Sequence, residues 1–461
     1  MKYLKVSTPV RITKLVPGGQ GIGTFTGKEL DSTDKSPENM RLLSLVGKKG
    51  FFWNALPGET VSKFTITKNK SHYFEAIADE ISETSPHRIT PKDSCYLATS
   101  PWQIMDYDYE LTQKTELLKE TFFQTGLDIT GENVATASDS EGSLRRRAAR
   151  IGSTPATAGG ATGALRTDAE QHSPVTAGPA DCINLVQTDF KSYFYRNKME
   201  YSLFWDNAEQ KIKLAQHARG SHRKIPLKTS SIERPEIWQK ALEIVADLNS
   251  RHEEARKYQS LLLRCNKNGD VSGGLYENGQ PHPNFDNLED DILGHTYSYS
   301  PNGFFQINLP VYEMALLEIK KHINTDNVLD LYSGVGTIGL SVARDKNLTL
   351  VESNPAAFVE LEKNAKGKHR VILSKSEEAL DYIAPDQTVI LDPPRAGCDK
   401  KLIEKLLEVK PKTIIYLSCN PSTQARDVKL LTSTYNITSL TPFNFFPRTP
   451  HLENLIVLHI L

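Results

Sequence analysis

Cysteine is scarce in this chain of 461 residues. There are five, Cys95, Cys182, Cys265, Cys398 and Cys419, odd in number, scattered and free of any C-x-x-C pair. Neither a disulfide framework nor a zinc site is indicated, and a reducing, intracellular setting fits best. An excess of charge is also missing: 55 Lys and Arg face 56 Asp and Glu. No global field draws a polyanion, so a nucleic acid has to be held by local basic patches. Long apolar runs are absent too. None is long enough to span a bilayer, and the N-terminus lacks the apolar stretch of a signal peptide. The expectation is a soluble, cytoplasmic protein with no membrane contact and no obligate protein partner.

What is present is length enough for two or three domains, since single cores rarely grow past ~250–300 residues. Residues 1–90 read as short strands, such as Leu4-Lys5-Val6, Val10-Arg11-Ile12, Gly23-Thr24-Phe25 and Val61–Thr67, broken by glycines and by Leu56-Pro57-Gly58-Glu59. That pattern suits a small β-barrel. Helical spacing covers 102–124. From 134 to 180 Ala, Gly, Ser and Thr dominate around Arg145-Arg146-Arg147. This stretch holds too little apolar surface to offset its ordering entropy and is expected to be a disordered insertion.

Strands are expected again at 193–205 and 210–216, then a helix at 233–249. A hairpin follows near 260–266 and 271–276, around Asn268-Gly269. From 310 onward helix and strand alternate. Strands are placed at 327–332, 348–352, 388–391, 413–418 and 455–460, with helices near 310–322, 337–344, 355–365, 400–409 and 422–432. Repeated βα units predict an open, mainly parallel, doubly wound sheet. The expected division is 1–90, 91–285 and 286–461.

Four segments carry chemistry. Val328–Thr337 is an apolar strand running into the glycine-rich turn Ser333-Gly334-Val335-Gly336 ahead of a helix. Glycines there let the backbone approach a ligand. The next strand ends at Glu352, about twenty residues on, where a carboxylate can take both hydroxyls of an adenosine ribose. A nicotinamide and S-adenosylmethionine satisfy this equally. Asp392-Pro393-Pro394-Arg395 ends a further strand and stiffens the loop beside the crevice. Ser418-Cys419-Asn420-Pro421 ends another, ahead of a helix starting at Ser422. A cysteine in that place feels the positive helix end, which is expected to lower its thiol pKa. His451-Leu452-Glu453 precedes the last strand, where a carboxylate would reach the same crevice, although in isolation a solvated loop acid is the commoner reading of such a segment.

Together with Ser300–Asn308 and Phe446–Glu453, these segments resemble the RNA uracil-5-methyltransferases, in the correct order and nearly end to end. The N-terminal part is similar to a TRAM domain, an OB-like RNA-binding barrel, with Ala55–Glu59 as its clearest piece. Tyr195–Lys198 resembles the basic opening of the family's central domain, of α+β type. The resemblance implies an S-adenosylmethionine-dependent, Rossmann-like catalytic domain. It puts cofactor contacts at Gln306, Tyr332, Thr337, Glu352 and Asp392, the nucleophile at Cys419 and the base at Glu453. This chain departs from relatives in having Ser333 where cysteine is frequent, Thr337 where asparagine is, and Asn444 where an acid is. Many relatives also hold an iron–sulfur cluster through clustered cysteines near residue 90. Only Cys95 stands there, so no cluster or other metal is expected.

The chemistry the family performs needs this set. Carbon 5 of uracil is a poor nucleophile until a thiolate adds to carbon 6, and a base must afterwards remove the C5 proton. The implied partner is RNA, with large-subunit (23S) ribosomal RNA favoured by the barrel and the T-loop uridine of transfer RNA as the alternative. Three other readings compete. A methyltransferase for an exocyclic amine has no use for Cys419. A catalytically silent RNA-binding protein has no need of both Cys419 and Glu453. A nicotinamide oxidoreductase does not account for the Pro-Pro loop.

Overall fold

The computed structural model describes residues 4–28, 30–127, 129, 183–251, 255–282 and 285–461. The insertion expected at 134–180 lies outside the described residues, as does Cys182.

The first strands are β1 (Leu4–Val6), β2 (Val10–Leu15) and β3 (Gly21–Thr24). A short helix α1 (Pro37–Leu43), not foreseen from the sequence, leads to β4 (Lys49–Trp53), β5 (Thr60–Asn69) and β6 (Tyr73–Glu83). The order β5-β2-β3-β4-β6 closes on itself through β5–β6 pairing, so five strands make a barrel and β1 adds to the outside of β5. Alternation decides which side chains enter: Val10 and Ile12 point in while Arg11 and Thr13 face water. Phe25, Phe52, Phe64 and Phe74 fill the centre, mostly edge to face.

A single turn, α2 (Tyr96–Thr99), precedes α3 (Tyr107–Gln124). The helix expected from 102 therefore starts at 107. Asp106 caps it by accepting the Tyr109 N–H at 2.7 Å, and Trp102 is held in the preceding turn by donating to the Gly19 carbonyl at 3.0 Å.

The central unit contains β7 (Lys198–Asp206), β8 (Lys211–His217), β9 (Lys224–Pro226), α4 (Pro235–Ser250), β10 (Ser260–Cys265), β11 (Val271–Glu277) and β12 (Gln280–His282). The sheet is antiparallel in the order β12-β11-β10-β7-β8-β9, and α4 packs Ile237, Ala241, Val245 and Leu248 against it. The strand expected from 193 begins at 198, because Phe194 takes positive φ (56°) and breaks the extended run. A hairpin, β13 (Leu288–Ile292) and β14 (His295–Tyr299), also escaped the sequence reading.

The remaining elements are α5 (Leu309–Lys321), β15 (Asn327–Leu331), α6 (Thr337–Val342), β16 (Asn347–Glu352), α7 (Pro355–Ala365), β17 (Arg370–Leu373), β18 (Gln387–Leu391), α8 (Lys400–Val409), β19 (Thr413–Ser418), α9 (Pro421–Leu431), β20 (Tyr435–Phe443) and β21 (Glu453–Ile460). They form a seven-stranded sheet, β17-β16-β15-β18-β19-β21-β20, parallel from β17 to β19 with β21 reversed. Both faces are buried: Val328, Leu350 and Ile390 pack in one core, and Leu329, Val351 and Val389 in the other. The winding reverses between β15 and β18, so the ligand crevice opens at the carboxyl ends of those strands. This is an α/β, doubly wound, Rossmann-like fold joined to an N-terminal barrel and an α+β central unit.

Candidate active site

The turn after β15 is built for close approach. Tyr332, Gly334 and Gly336 all have positive φ (63°, 56° and 88°). A Cβ on Gly336 would stand 2.6 Å from Leu361 Cδ1, and one on Gly339 2.7 Å from Asp330 Oδ2, whereas one on Gly334 would meet nothing within 4 Å. Gly334 therefore borders open space. The Ser333 hydroxyl donates to the Asp330 carbonyl at 2.7 Å and accepts the Val351 N–H at 3.0 Å. Glu352 accepts N–H bonds from Gly334 at 2.8 Å and Asn354 at 2.6 Å, tying the two turns together. A carboxylate has further lone pairs for ribose hydroxyls.

Asp392 ends β18 in the same crevice. Burial pushes its carboxyl, and that of Asp330 behind it, up to about 7. Asp330 Oδ1 has no hydrogen-bond partner. Open space at Gly334 beside acids whose ionisation is disfavoured until a cation arrives fits S-adenosylmethionine, which carries a sulfonium, an ammonium and a ribose diol. Gln306 is buried just ahead of α5, its carbonyl held by Asn197 Nδ2 at 3.0 Å. The Tyr332 side chain reaches toward Ser376 and Cys398. Thr337 is buried as the first residue of α6, and the Tyr297 hydroxyl donates to its carbonyl at 3.4 Å.

Cys419 follows β19, and Glu453 is the first residue of β21 rather than preceding that strand. Ser418 pairs with Asn454 across the antiparallel ladder, so Cys419 and Glu453 sit at adjoining strand ends. The helix after Cys419 begins at Pro421, one residue earlier than expected, and its cap is Asn420, which accepts the Ser422 N–H at 3.3 Å. Asn420 Nδ2 and the Thr423 hydroxyl both donate to the Arg395 carbonyl, at 2.8 and 3.1 Å, which fixes the proline-framed loop against α9. The Arg395 charge acts on the thiol and favours its ionised form.

The expected lowering of the Cys419 pKa is corrected by the structure. Burial and then the Glu453 charge push the thiol up to about 11, Asp392 adds to this, and Arg395 opposes it. The helix end does not offset desolvation beside two carboxyls. Glu453 is itself raised well above the ordinary carboxyl range, by burial and then by Asp392, and its Oε2 has no partner. Alkylation should report this arrangement. Iodoacetamide labelling of Cys419 in the free protein, mapped by peptide mass spectrometry, is expected to be slow at pH 7 and to climb steeply toward pH 11. Glu453→Gln should move the profile to lower pH, because the residue's charge is then gone when the thiol titrates. A wild-type profile centred near pH 7 would contradict the burial argument.

Cys419 opens on a cleft of about 340 Å³, walled by Pro17 and Gly18 of the barrel, Lys114 and Thr121 of α3, Arg395 and His451. His451 is exposed at the cleft, and partial desolvation of its ring and then the Arg395 charge lower its pKa. Of the two aromatics considered for base stacking, Phe305 is buried against Tyr299 (3.9 Å between ring centres, 9° between planes), whereas Phe304 is exposed. Among the described residues no three His, Cys, Asp or Glu side chains are grouped to hold a metal ion.

Sequence reasoning missed the residues that hold the loop bearing Glu453. Lys114 Nζ is buried, donating to Asn444 Oδ1 at 2.6 Å and the Phe446 carbonyl at 3.1 Å while pairing with Glu110 at 3.0 Å. Glu110 accepts the Arg448 N–H at 3.0 and 3.1 Å, and Arg448 Nη1 reaches the Met105 carbonyl at 2.7 Å. In sequence, Glu110 and Lys114 are an ordinary i,i+4 pair on a polar helix, with nothing to mark them as buried. The neutral Asn444 is accounted for here, since Glu110 supplies the carboxylate.

Residues 379–460 match the model of the tRNA (uracil-5-)-methyltransferase family. The chain is 27% identical over 466 residues to an uncharacterized RNA methyltransferase of Lactiplantibacillus plantarum, covering 94% of this chain and 97% of that one. It is 36% identical over 189 residues to an RNA methyltransferase of Staphylococcus aureus, a match that spans 41% of that protein. Its fold is similar to the Pyrococcus abyssi tRNA (uracil-54, C5)-methyltransferase crystallised with S-adenosyl-L-homocysteine. The TM-score is 0.66 at 20% identity, over 98% of this chain and 99% of that one. The crevice, the motif order and these likenesses agree on an S-adenosylmethionine-dependent RNA methyltransferase, similar over residues 379–460 to the tRNA (uracil-5-)-methyltransferase family.

Proposed function

We propose that this protein methylates carbon 5 of a uridine in RNA through a transient bond between Cys419 Sγ and carbon 6. The supporting observation is the β19–β21 pairing, which sets a half-buried thiol that opens on the cleft and a buried carboxyl at adjoining strand ends. Glu352 takes the ribose hydroxyls of the cofactor, with Asp392, Gln306, Tyr332 and Thr337 as further contacts. When bound, S-adenosylmethionine supplies an electrophilic methyl group.

The Cys419 thiol gives its proton to water in the cleft on which it opens, Arg395 stabilises the thiolate as it forms, and the sulfur adds to carbon 6 of a uracil that has left its stack, at a cost of a few kcal/mol. Electron density then appears at carbon 5, which takes the methyl. Glu453 removes the remaining C5 proton, and elimination releases Cys419. A carboxyl whose pKa is raised by burial holds a proton well, which suits that last step.

We assign residues 1–90 and 91–285 to gripping RNA and 286–461 to catalysis, and a cytoplasmic location accords with RNA as substrate. Large-subunit ribosomal RNA is the proposed substrate on the strength of the barrel. Transfer RNA is a second reading, supported by the names of the family model and of the Pyrococcus enzyme, which superposes over the barrel as well. The test is nucleoside mass spectrometry with site mapping after incubation of each unmodified RNA with protein and S-adenosylmethionine. 5-Methyluridine in ribosomal RNA is expected. Its appearance only in transfer RNA would change the substrate, and methylation at an exocyclic amine would overturn the chemistry.

A further inference from the structure

Three residues that line one cavity outside the methyl-transfer cleft each carry a buried acceptor oxygen, and among the described residues no donor reaches these oxygens. The cavity, about 410 Å³, lies between the 189–197 segment and the N-termini of α4 and α5. Asp189 Oδ2, Asn197 Oδ1 and Asn308 Oδ1 belong to residues that line it, and all three are unpartnered. Asn197 and Asn308 are 3% and 0% exposed. Their amide orientations are settled, because Asn197 Nδ2 donates to the Gln306 carbonyl at 3.0 Å and Asn308 Nδ2 to the Phe445 carbonyl at 3.3 Å. Exchanging oxygen and nitrogen would set carbonyl against carbonyl. A buried acceptor without a donor is destabilising. Three around one space call for a ligand rich in N–H groups.

The rest of the lining narrows the class. Phe194, 49% exposed, contributes an aromatic ring and is held at φ 56°, a conformation that bulky residues avoid. Lys191, Arg234 and Lys267 outnumber Asp189 and Glu236 among the charged lining residues, although Arg234 is paired with Glu236 and Lys267 with Glu313. A bare phosphate is a poor occupant, since unpartnered oxygens repel it. A base with an amino group suits both the ring and the acceptors, whereas uracil offers only its N3–H on the pairing edge.

We infer that this cavity binds the amino-bearing base (cytosine, adenine or guanine) of a second unpaired nucleotide in the same RNA, stacked on Phe194 and donating to these oxygens. The inference rests on RNA being the substrate. The cavity shares its wall with the active site: Asn197 and Asn308 hold the Gln306 and Phe445 carbonyls, and the Tyr195 hydroxyl donates to the Pro447 carbonyl at 3.1 Å. A base seated there stiffens the segment leading to Glu453, so recognition of a neighbouring nucleotide and readiness for proton removal are linked.

The test uses the full chain without S-adenosylmethionine and fluorescein-labelled single-stranded octamers of cytidine and uridine, read by fluorescence anisotropy. The two pyrimidines have the same ring size, which isolates the amino group. The cytidine octamer is expected to bind at least fivefold tighter than the uridine octamer. Phe194→Ala should weaken the cytidine octamer about tenfold, the scale of one lost base stack, and the uridine octamer less than twofold. Asp189→Asn, which turns an acceptor into a donor while keeping shape, should narrow the preference. Equal binding of the two octamers by the wild-type protein, or an equal loss of both in Phe194→Ala, would overturn the inference. Octamer preference without any 5-methyluridine formation would remove the methylation reading and leave the site standing, and the converse would remove only the site.

Discussion

Glu453→Gln should trap the protein on its RNA. The amide keeps the shape of the carboxyl but cannot take the C5 proton, so thiol addition and methylation proceed while elimination stalls. A slow, protease-sensitive band of labelled RNA is expected on denaturing electrophoresis. Cys419→Ala should form no such band and lose methylation altogether, while still binding S-adenosylmethionine through the glycine turn and Glu352. Loss of the nucleophile removes the covalent route and leaves only the uncatalysed reactivity of carbon 5, so the expected drop is several orders of magnitude. Turnover by Cys419→Ala at the wild-type rate would end the covalent mechanism. Free turnover by Glu453→Gln would remove only the base assignment, and Asp392, which shares its electrostatic environment, would be the next carboxyl to test.

Glu110→Gln is expected to be the most destabilising conservative change in the chain. It leaves the Lys114 ammonium and the Arg448 guanidinium buried without their shared carboxylate. Removing one partner of a buried ion pair costs about 3–5 kcal/mol, a large part of the ~5–15 kcal/mol that holds a domain together. Lys114→Met alone should lose much less, because burial already disfavours that ammonium and Glu110 keeps Arg448. The double variant Glu110→Gln/Lys114→Met should recover part of the loss, since one of the two stranded charges is gone. Urea titrations of the three variants measure this. Equal stability of Glu110→Gln and wild type would show that the network carries little. Activity should fall with stability, and in Glu110→Gln it should fall further than unfolding alone explains, because Phe446 to Glu453 hang from these bonds.

Much of the catalytic unit was legible in the chain, because strand ends and turns are local events. Alternating βα units, the glycine turn at 333–336 and the proline loop at 393–394 place Glu352, Asp392 and Cys419 at strand termini with no knowledge of neighbours. The errors have equally local causes. The helix expected from 102 starts at 107 because Trp102 bonds a barrel glycine more than eighty residues away. The strand expected from 193 starts at 198 because Phe194 adopts a conformation that propensity assigns to glycine.

The sequence by itself determined the parallel βα sheet and the small barrel, since both follow from patterns spanning a few residues, and it set Cys419 and Glu453 at the ends of strands as candidates. Only the tertiary structure decided what those residues experience. The reversal of β21 brings Glu453 beside Cys419, and desolvation there outweighs the helix end and raises the thiol rather than lowering it. The bonds that hold the 446–453 loop join α3 to a segment 338 residues later. Burial depth and long-range partners are sums over the packed chain, and these, not the identity of any one residue, set the charge state of the site and the rigidity of its loops.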